Sequence, residues 1–478
     1  MYDVAIIGCG VIGAAAAFEL SKYEAKVVVL EKQNDVAMGA TRANSAIIHA
    51  GYDPKPGTLM ARLNVEGNLM AEQLCKDLSV PFKKIGSLVM AFSEEERATV
   101  EELYRRGVEN GVPGVRIISG EEVRQMEPLV SDQVVCALYA PSAGIICPWD
   151  YCLAFAETAA RNGVEIRLNA GVNGIRREDG AYVLSTESGE VRARYILNAA
   201  GVESGAIHEM VAEKTFTVMP NRGEYYVFDK NECFRAHHVL FQCPNKDGKG
   251  VLVTPSVDGN LLVGPNAEAV TDPERPNNTA AGMAFIREKA FKSVPSVNYR
   301  NAIRNFAGIR ANTDRDEFQI GIAAENFIDL AGIKSPGLSS APAIAIEAVK
   351  LLSECGFAPA KKANPITTRR KIRFRELSDA EKTEVIRENP LYGRVICRCE
   401  TVTEGEIVEA IHSPITPCSL DGIKRRAGSG MGRCQGGFCG PRVLDILARE
   451  LKRDPMDVLQ DGKGSNILLS ETKKEATV

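Results

Sequence analysis

An apolar run, Val4 to Ile7, leads straight into Gly8-Cys9-Gly10-Val11-Ile12-Gly13, and this stretch constrains the fold more than any other in the chain. An Ala-rich helical pattern follows, then a second apolar run, Val27 to Leu30, which ends at Glu31. Gly8 permits a tight turn, Gly10 lets a pyrophosphate approach the backbone, and Gly13 lets helix and strand pack closely. The helix N-terminus then offers N–H groups and the positive end of its dipole to the phosphates. Glu31 stands where a carboxylate accepts hydrogen bonds from a ribose diol. Strand, helix, second strand and acid in this order predict a dinucleotide-binding βαβ unit rather than a Gly-rich turn of some other α/β protein.

The chain of 478 residues has room for two or three domains and a large core. With 45% hydrophobic and 25% charged residues it has the composition of a soluble globular protein. A formal charge of −4 gives no reason to expect nucleic acid as a partner. No apolar run approaches the length needed to span a bilayer. The first strand begins almost at Met1, which leaves no signal peptide and makes the expected location cytoplasmic. Of thirteen cysteines, four cluster near the C-terminus. The others are scattered singly, as free buried thiols are, and not in the manner of a disulfide framework.

After Glu31 comes Gly39-Ala40-Thr41-Arg42-Ala43-Asn44-Ser45-Ala46-Ile47-Ile48-His49-Ala50-Gly51. Small residues with polar groups between them suit backbone passing close to a large planar ligand. Arg42 can reach a pyrophosphate, and Asn44 and Ser45 can hydrogen-bond a ring edge. Here the sequence resembles the flavin-dependent oxidoreductases of the D-amino-acid oxidase superfamily, in which such a segment lines the FAD. The resemblance implies FAD rather than NAD. It places the cofactor on Gly8, Gly10, Gly13, Glu31, Thr41, Arg42, Asn44, Ser45, Val172, Ala200, Gly201, Gly337, Leu338 and Ser339. The implied fold is α/β, or α+β overall: a discontinuous Rossmann-like FAD-binding domain with an inserted mixed β-sheet substrate domain. The FAD-binding parts are expected at about 1–80, 145–215 and 305–355, and the substrate domain at about 81–144 and 216–304.

Local pattern adds detail. Helices are expected from Thr58 to about Leu78, from Glu94 to Glu109 as an exposed charged helix, and onward from Trp149-Asp150 through Ala160. Lys83 to Phe92, Glu165–Leu168, Tyr182–Thr186 and Arg194 onward read as strands. Val251–Pro255 and Leu261–Gly264 read as a hairpin. A loop, Gly332 to Pro342, is expected before an apolar helix, Ala343 to Leu352, and in the superfamily N–H groups at such a helix start stabilise charge on the reduced flavin. Residues 356–391 are a basic connector whose Arg369-Arg370-Lys371-Ile372-Arg373-Phe374-Arg375 run reads as a solvated face or a contact to an acidic partner. Ser378 and Glu381 form a capping box for a short charged helix.

The second strong signal is Cys397-Arg398-Cys399-Glu400 together with Cys434-Gln435-Gly436-Gly437-Phe438-Cys439. Four thiolates in two close pairs on Gly-rich backbone can ligate an iron–sulfur cluster or a zinc ion. The spacing favours the cluster, because a one-residue gap is not the usual zinc pair. Cys418 has no close cysteine neighbour and is left out. With Arg425 to Arg433, these segments resemble the ferredoxin domain related to bacterioferritin-associated ferredoxin. The resemblance implies a small C-terminal [2Fe-2S] domain over 392–452, ligated by Cys397, Cys399, Cys434 and Cys439, with a tail at 453–478. That domain is appended to several flavin dehydrogenases, among them the large subunit of anaerobic glycerol-3-phosphate dehydrogenases.

A flavin takes two electrons at once, whereas a [2Fe-2S] centre passes one at a time. Their union in one chain implies a dehydrogenase that drains electrons to another protein. The partner implied is a redox subunit, either a second flavoprotein or a quinone-linked protein, through which the enzyme would meet a membrane peripherally. In the superfamily an Arg at the place of Arg310 reaches the anionic group of a small substrate. His49 is placed to take a hydroxyl proton as hydride leaves. Arg222 and Tyr225 are further candidates for the pocket. Asn44-Ser45, Ile48-His49-Ala50-Gly51, Leu63-Asn64-Val65-Glu66-Gly67, Arg222-Gly223-Glu224-Tyr225-Tyr226 and Gly264-Pro265-Asn266-Ala267 resemble L-2-hydroxyglutarate dehydrogenases and oxidases. Aerobic glycerol-3-phosphate dehydrogenases carry an Arg-Tyr pair where this chain has Tyr52-Asp53. Flavin and cluster together match the glycerol-3-phosphate layout, so that oxidation is the favoured expectation. L-2-hydroxyglutarate is the alternative, followed by an amine or amino-acid dehydrogenase or an electron-transfer subunit.

Overall fold

The computed structural model describes residues 1–244, 250–274 and 276–471. The chain divides into two compact units, the first made of Met1–Leu30, Ala37–Arg167 and Gly171–Arg369, the second of Glu31–Val36, Leu168–Ala170 and Arg370 onward.

In the first unit the opening motif folds as its pattern dictates. β1 (Tyr2–Ile7) and β2 (Val27–Leu30) pair in parallel, joined through α1 (Val11–Leu20). Every residue of β2 is buried, the mark of a parallel sheet covered on both faces. Ala14, Ala15, Ala16 and Ala17 are buried too, and such small side chains let α1 pack against the helices Pro148–Arg161 and Gly337–Glu354. On the other side of β1 lies the strand Gly189–Asn198, also parallel. That strand serves two partners in succession: Ala181–Thr186 runs antiparallel along its first half, and Phe327–Ala331 runs parallel beside its last residues. Eight strands from three stretches of sequence thus make one sheet.

The second sheet has nine strands. It is mixed, as expected of the substrate domain, because Val239–Gln242 runs parallel to Ser87–Ala91 while its other pairings are antiparallel. Leu88 and Met90 enter one apolar cluster with Leu240, Val253 and Val263. Val89 and Ala91 enter another with Leu138, Phe241, Val100 and Leu103. The period of two therefore reads as an unbroken apolar run, because both faces are covered. The helix Glu94–Glu109 supplies Val100 and Leu103 to that core and is charged only on its outer face.

Three local expectations meet a different arrangement. The strand Ala302–Thr313, whose residues from about 305 the resemblance assigns to the FAD-binding parts, pairs along its whole length with Val218–Phe228 in the second sheet, which leaves that assignment as an expectation. The chain rejoins the first sheet only at Gln319–Ala324. The helix expected from Ala343 begins at Gly337, with Pro342 inside it. Pro342 stands beyond the first turn, so its missing N–H leaves the Leu338 carbonyl without the usual i−4 bond. Finally, Arg369 is not on a solvated face. Its side chain is buried against Asp150 (2.7 Å) and Glu157 (3.0 Å), and its Nε donates to the Leu78 carbonyl.

The second unit has a two-stranded ribbon, Val395–Cys397 with Val402–Thr403, and the helices Glu404–Ile411, Leu420–Ala427 and Gly440–Leu451 around a small core of Ile407, Ile411, Ile423, Val443 and Leu447. The predicted capping box forms at Ser378/Glu381, and a second forms at Thr403/Glu406. Asp35 is buried between Arg425 and Arg426, and Arg425 also reaches Asp461, in the stretch expected to be a tail. Among the described residues no helix is long and apolar enough to cross a membrane.

Candidate active site and cysteine centre

The Gly-rich turn is built as a cradle. Gly8 has φ +95°, and a Cβ there would stand 2.6 Å from the Ala199 carbonyl oxygen. Only glycine meets both demands. The same close approach brings Ala200 and Gly201, which follow Ala199, beside the turn. At Gly13 a Cβ would lie 2.0 Å from the Gly8 oxygen, which locks helix against strand. At Gly10 the one atom near such a Cβ is Thr41 Oγ1, at 3.3 Å. Thr41 Oγ1 accepts the Val11 N–H (2.9 Å), so the predicted residue Thr41 tends the N-terminus of α1. The geometry leaves backbone, without side chains, facing the place where a pyrophosphate belongs. Glu31 directly follows β2 and its Oε1 accepts the Gln33 N–H. Val172 opens the edge strand Val172–Glu178 of the first sheet.

The segment expected to line the flavin ring is held by its own polar groups. Asn44 Nδ2 donates to the carbonyls of Ala40 and Thr41, and its Oδ1 accepts the Ala46 N–H, so Asn44 shapes the loop. Arg42 lies against the Met38 sulfur. Ser45 Oγ meets the Tyr225 hydroxyl at 3.0 Å, and the Tyr225 ring stacks on Phe306. At Gly308 a Cβ would be 1.9 Å from the Ala43 oxygen, so the strand Ala302–Thr313 runs hard against this loop.

His49 is fixed at several points. Its backbone N–H donates to Ser339 Oγ (2.6 Å), and its carbonyl accepts from Asn64 (2.9 Å) and Asn68 (3.1 Å). Both amides project from the helix α2 (Leu59–Asp77), one turn apart. The imidazole stacks on Phe241, and its Nε2 lies 3.3 Å from Ser335 Oγ. Gly337, Leu338 and Ser339 form the first turn of the helix Gly337–Glu354. A Cβ at Gly67 would stand 2.1 Å from the Ser339 oxygen, so α2 packs directly on that turn.

Arg310 stands opposite Asn221 in the strand register. Its Nη1 donates to Asn221 Oδ1 (2.7 Å), and both terminal nitrogens lie 3.4 Å from the Asn266 carbonyl. Gly223 makes room for the guanidinium, since a Cβ there would be 2.1 Å from Arg310 Nη2. Arg222, by contrast, is spent on Glu268 (2.7 Å) and Asn277. Asn64, Asn68, Asn221, Asn266 and Ser335 were not singled out from the sequence. The signal for the first two was there: buried amides four residues apart on a helix that otherwise presents apolar residues to its core.

The four clustered cysteines of the second unit meet as two pairs. Cys399 and Cys434, both exposed, have sulfurs 3.7 Å apart, while Cys397 and Cys439 are buried and hydrogen-bonded to each other. The bond with Cys439 holds the Cys397 thiol below its ordinary value, against burial and with help from the N–H groups of Gly430 and Glu400. The Cys439 thiol is raised by the same bond. The Phe438 N–H aimed at Cys434 holds that thiol below its ordinary value. Gly432 lets the two cysteine segments close, because a Cβ there would be 2.2 Å from Cys399 Cβ. Among the described residues no three His, Cys, Asp or Glu side chains form a single-ion site. Two pairs of thiols, with backbone N–H groups directed at the sulfurs, fit a two-iron cluster. Cys418 instead donates to the Asn34 carbonyl.

Residues 3–351 match the family of FAD dependent oxidoreductases, and the match takes in the cradle, the His49 loop and Arg310. The chain belongs to that family. Residues 395–449 of this oxidoreductase match the BFD-like [2Fe-2S] binding domain, so FAD and a [2Fe-2S] cluster are its cofactors. The oxidoreductase is 49% identical to a glycerol 3-phosphate dehydrogenase of Caloramator mitchellensis, over 99% of this chain and 100% of that one. A solved structure of the dithionite-reduced L-alpha-glycerophosphate oxidase of Mycoplasma pneumoniae with FAD bound superposes with a TM-score of 0.73 at 35% identity, covering 77% of this chain and 98% of that one. The human mitochondrial L-2-hydroxyglutarate dehydrogenase is 28% identical over 70% of this chain and 82% of its own length.

Proposed function

We propose that the protein oxidises sn-glycerol 3-phosphate to dihydroxyacetone phosphate and passes the electrons through its [2Fe-2S] cluster to a partner acceptor. The observation that carries this reading is the end-to-end likeness to the Caloramator mitchellensis glycerol 3-phosphate dehydrogenase, which spans the cysteine module as well as the flavin unit. The anion falls to Arg310, whose fork is aimed by Asn221 and the Asn266 carbonyl and given room by Gly223. His49 Nε2 takes the proton of the substrate's secondary hydroxyl, with Ser335 Oγ beside it and Phe241 against the ring to hold the imidazole plane. Asn64, Asn68 and Ser339 position the backbone that carries His49. When bound, FAD supplies the two-electron acceptor for the hydride and the cluster a one-electron carrier. Gly8, Gly10, Gly13 and Thr41 hold the dinucleotide, the first turn at Gly337, Leu338 and Ser339 faces its ring, and Cys397, Cys399, Cys434 and Cys439 ligate the cluster.

The test is anaerobic bleaching of the bound flavin, with glycerol 3-phosphate and L-2-hydroxyglutarate added separately. Rapid bleaching by the phosphate is the expected result. Bleaching by the hydroxy acid alone would overturn the substrate assignment, because a guanidinium fork accepts carboxylate as readily as phosphate.

A further inference from the structure

Beside the two exposed thiols the second unit presents an aromatic ring with arginines stacked on it. Phe438, between Cys434 and Cys439, is 53% exposed. The Arg398 guanidinium lies 5.2 Å from its ring centre and that of Arg442 lies 5.7 Å away. Arg398 sits between Cys397 and Cys399, and Arg442 in the first turn of the helix Gly440–Leu451. The two ligand segments, 395–400 and 433–442, carry three arginines, Arg398, Arg433 and Arg442, all exposed. Their one carboxylate, Glu400, is buried and held by Arg375 at 2.7 Å. Within these two segments the exposed charge is therefore of one sign, and on the helix the exposed Asp445 stands one turn beyond Arg442.

This exposed Phe, beside the exposed Cys399 and Cys434, is not part of the unit's apolar core, which takes in Cys397 and Cys439. Cation–π contact keeps the two guanidiniums over the ring, partly desolvated and partly ordered before anything binds. Aromatic and arginine side chains grouped in this way are the composition of a protein–protein anchor. We propose that Phe438, Arg398 and Arg442 form the docking surface for the electron acceptor, and that this acceptor is an acidic one-electron redox protein whose centre is ringed by carboxylates. The proposal rests on the reading that electrons leave by way of the cluster. Oxidation of a secondary alcohol to a ketone releases two electrons and two protons. Two acceptor molecules therefore dock in turn, each taking one electron, and the protons pass to solvent. The arginines steer the encounter, and the ring supplies the apolar contact that brings the acceptor against Cys399 and Cys434.

The test uses the holoprotein reduced with dithionite and freed of excess reductant, mixed in stopped flow with cytochrome b5, an acidic carrier, or with cytochrome c, a basic one. Substrate is not needed, so an error in the substrate assignment leaves this test intact. Cytochrome b5 should be reduced faster than cytochrome c at low ionic strength, with a rate that falls as salt rises. Arg442→Glu should slow that reduction about tenfold at low salt. Phe438→Ala should slow it too, with a weaker salt dependence of the loss. Calorimetric binding of cytochrome b5 should weaken in parallel, while the visible circular dichroism of the cluster stays that of the parent. Preference for cytochrome c, or an Arg442→Glu protein that binds and reduces cytochrome b5 as the parent does, would overturn the proposal. So would an Arg442→Glu protein in which flavin-to-cluster transfer is slowed and reduction of cytochrome b5 is not, since the surface would then serve the chain's own flavin unit.

Discussion

Replacing Gly223 with alanine would set a methyl group 2.1 Å from Arg310 Nη2 and 2.7 Å from its Cζ, with Pro265 Cβ at 3.0 Å on another side. The guanidinium is the part that can move, because it ends a flexible side chain whereas Pro265 belongs to the backbone frame. Ordinary contact begins at 3.4 Å, so the fork must retreat by about 1.3 Å, a misplacement of the size that costs about 100-fold in catalysis. At 1.36 kcal/mol per tenfold, that is about 2.7 kcal/mol of lost transition-state stabilisation. The charge remains and the fold is disturbed only locally, at about 1 kcal/mol for mild overpacking. The assay is kcat/KM for glycerol 3-phosphate with an artificial electron acceptor, alongside the urea midpoint. An anion contact made before and during reaction is lost mainly from KM. A Gly223→Ala protein with kcat/KM within about threefold of the parent would refute the reasoning, because Arg310 would then be shown not to need its place.

Arg369→Ala strands Asp150 and Glu157 as buried carboxylates and should cost about 3–5 kcal/mol in urea unfolding. Adding Asp150→Asn and Glu157→Gln should recover part of that loss, and an unchanged midpoint for the single variant would count against the buried triad. Gly432→Ala forces a Cβ to within 2.2 Å of Cys399 Cβ and should abolish cluster absorbance while the flavin spectrum stays at full occupancy; retention of the cluster would show that the two ligand segments can part. Burial raises the Asp35 carboxyl, but Arg426 and Arg425 outweigh it and hold the group below its usual value of 3.8. A depressed carboxyl contributes its stability above the unfolded value and loses it as pH falls through the folded one. The parent's stability advantage over Asp35→Asn should therefore be constant at neutral pH and shrink below about pH 4 in urea titrations. An advantage that grows as pH falls would refute the pairing.

The parts legible in the sequence were those written in short-range pattern. β1, α1 and β2 could be read because their pattern, and the packing of Gly13 on Gly8, are set by neighbours within thirty positions, whereas the demand that Ala199 places on Gly8 was not legible. The helix α2 could be read from its period, and the structure adds that Thr58 caps it by accepting the Ala61 N–H. The cysteine pairs could be read because the chemistry of four thiolates survives any detail of the fold. Long-range partnership was not legible. Arg369 looked like one of a run of surface cations, and only contact with residues more than 200 positions away makes it a core ion. The strand Ala302–Thr313 carries an apolar stretch that either sheet could accept, and Gly308 shows its constraint only against Ala43. Ser45 read as a ring-edge donor because nothing local pointed to Tyr225. Pro342 read as the end of a loop because a proline six positions into a helix leaves the same signature as one just outside it.

Asp35 lies four residues beyond the acid that closes the dinucleotide motif, yet its two cations, Arg425 and Arg426, come from the far end of the chain. With the half-buried Asp461 they make a set of two positive and two negative charges. The consequence is one for engineering and for descent alike. A gene cut after Arg369 would encode a flavin unit that keeps Asp35 and loses everything that neutralises it, and the Glu31–Val36 loop would then have to bring a bare carboxylate into water. A self-sufficient flavin unit made from this chain would need a neutral or surface-seeking arrangement at position 35 before the cysteine module could be removed. Gain or loss of the module is thus written at two places in the gene, and position 35 is where the second change should be sought.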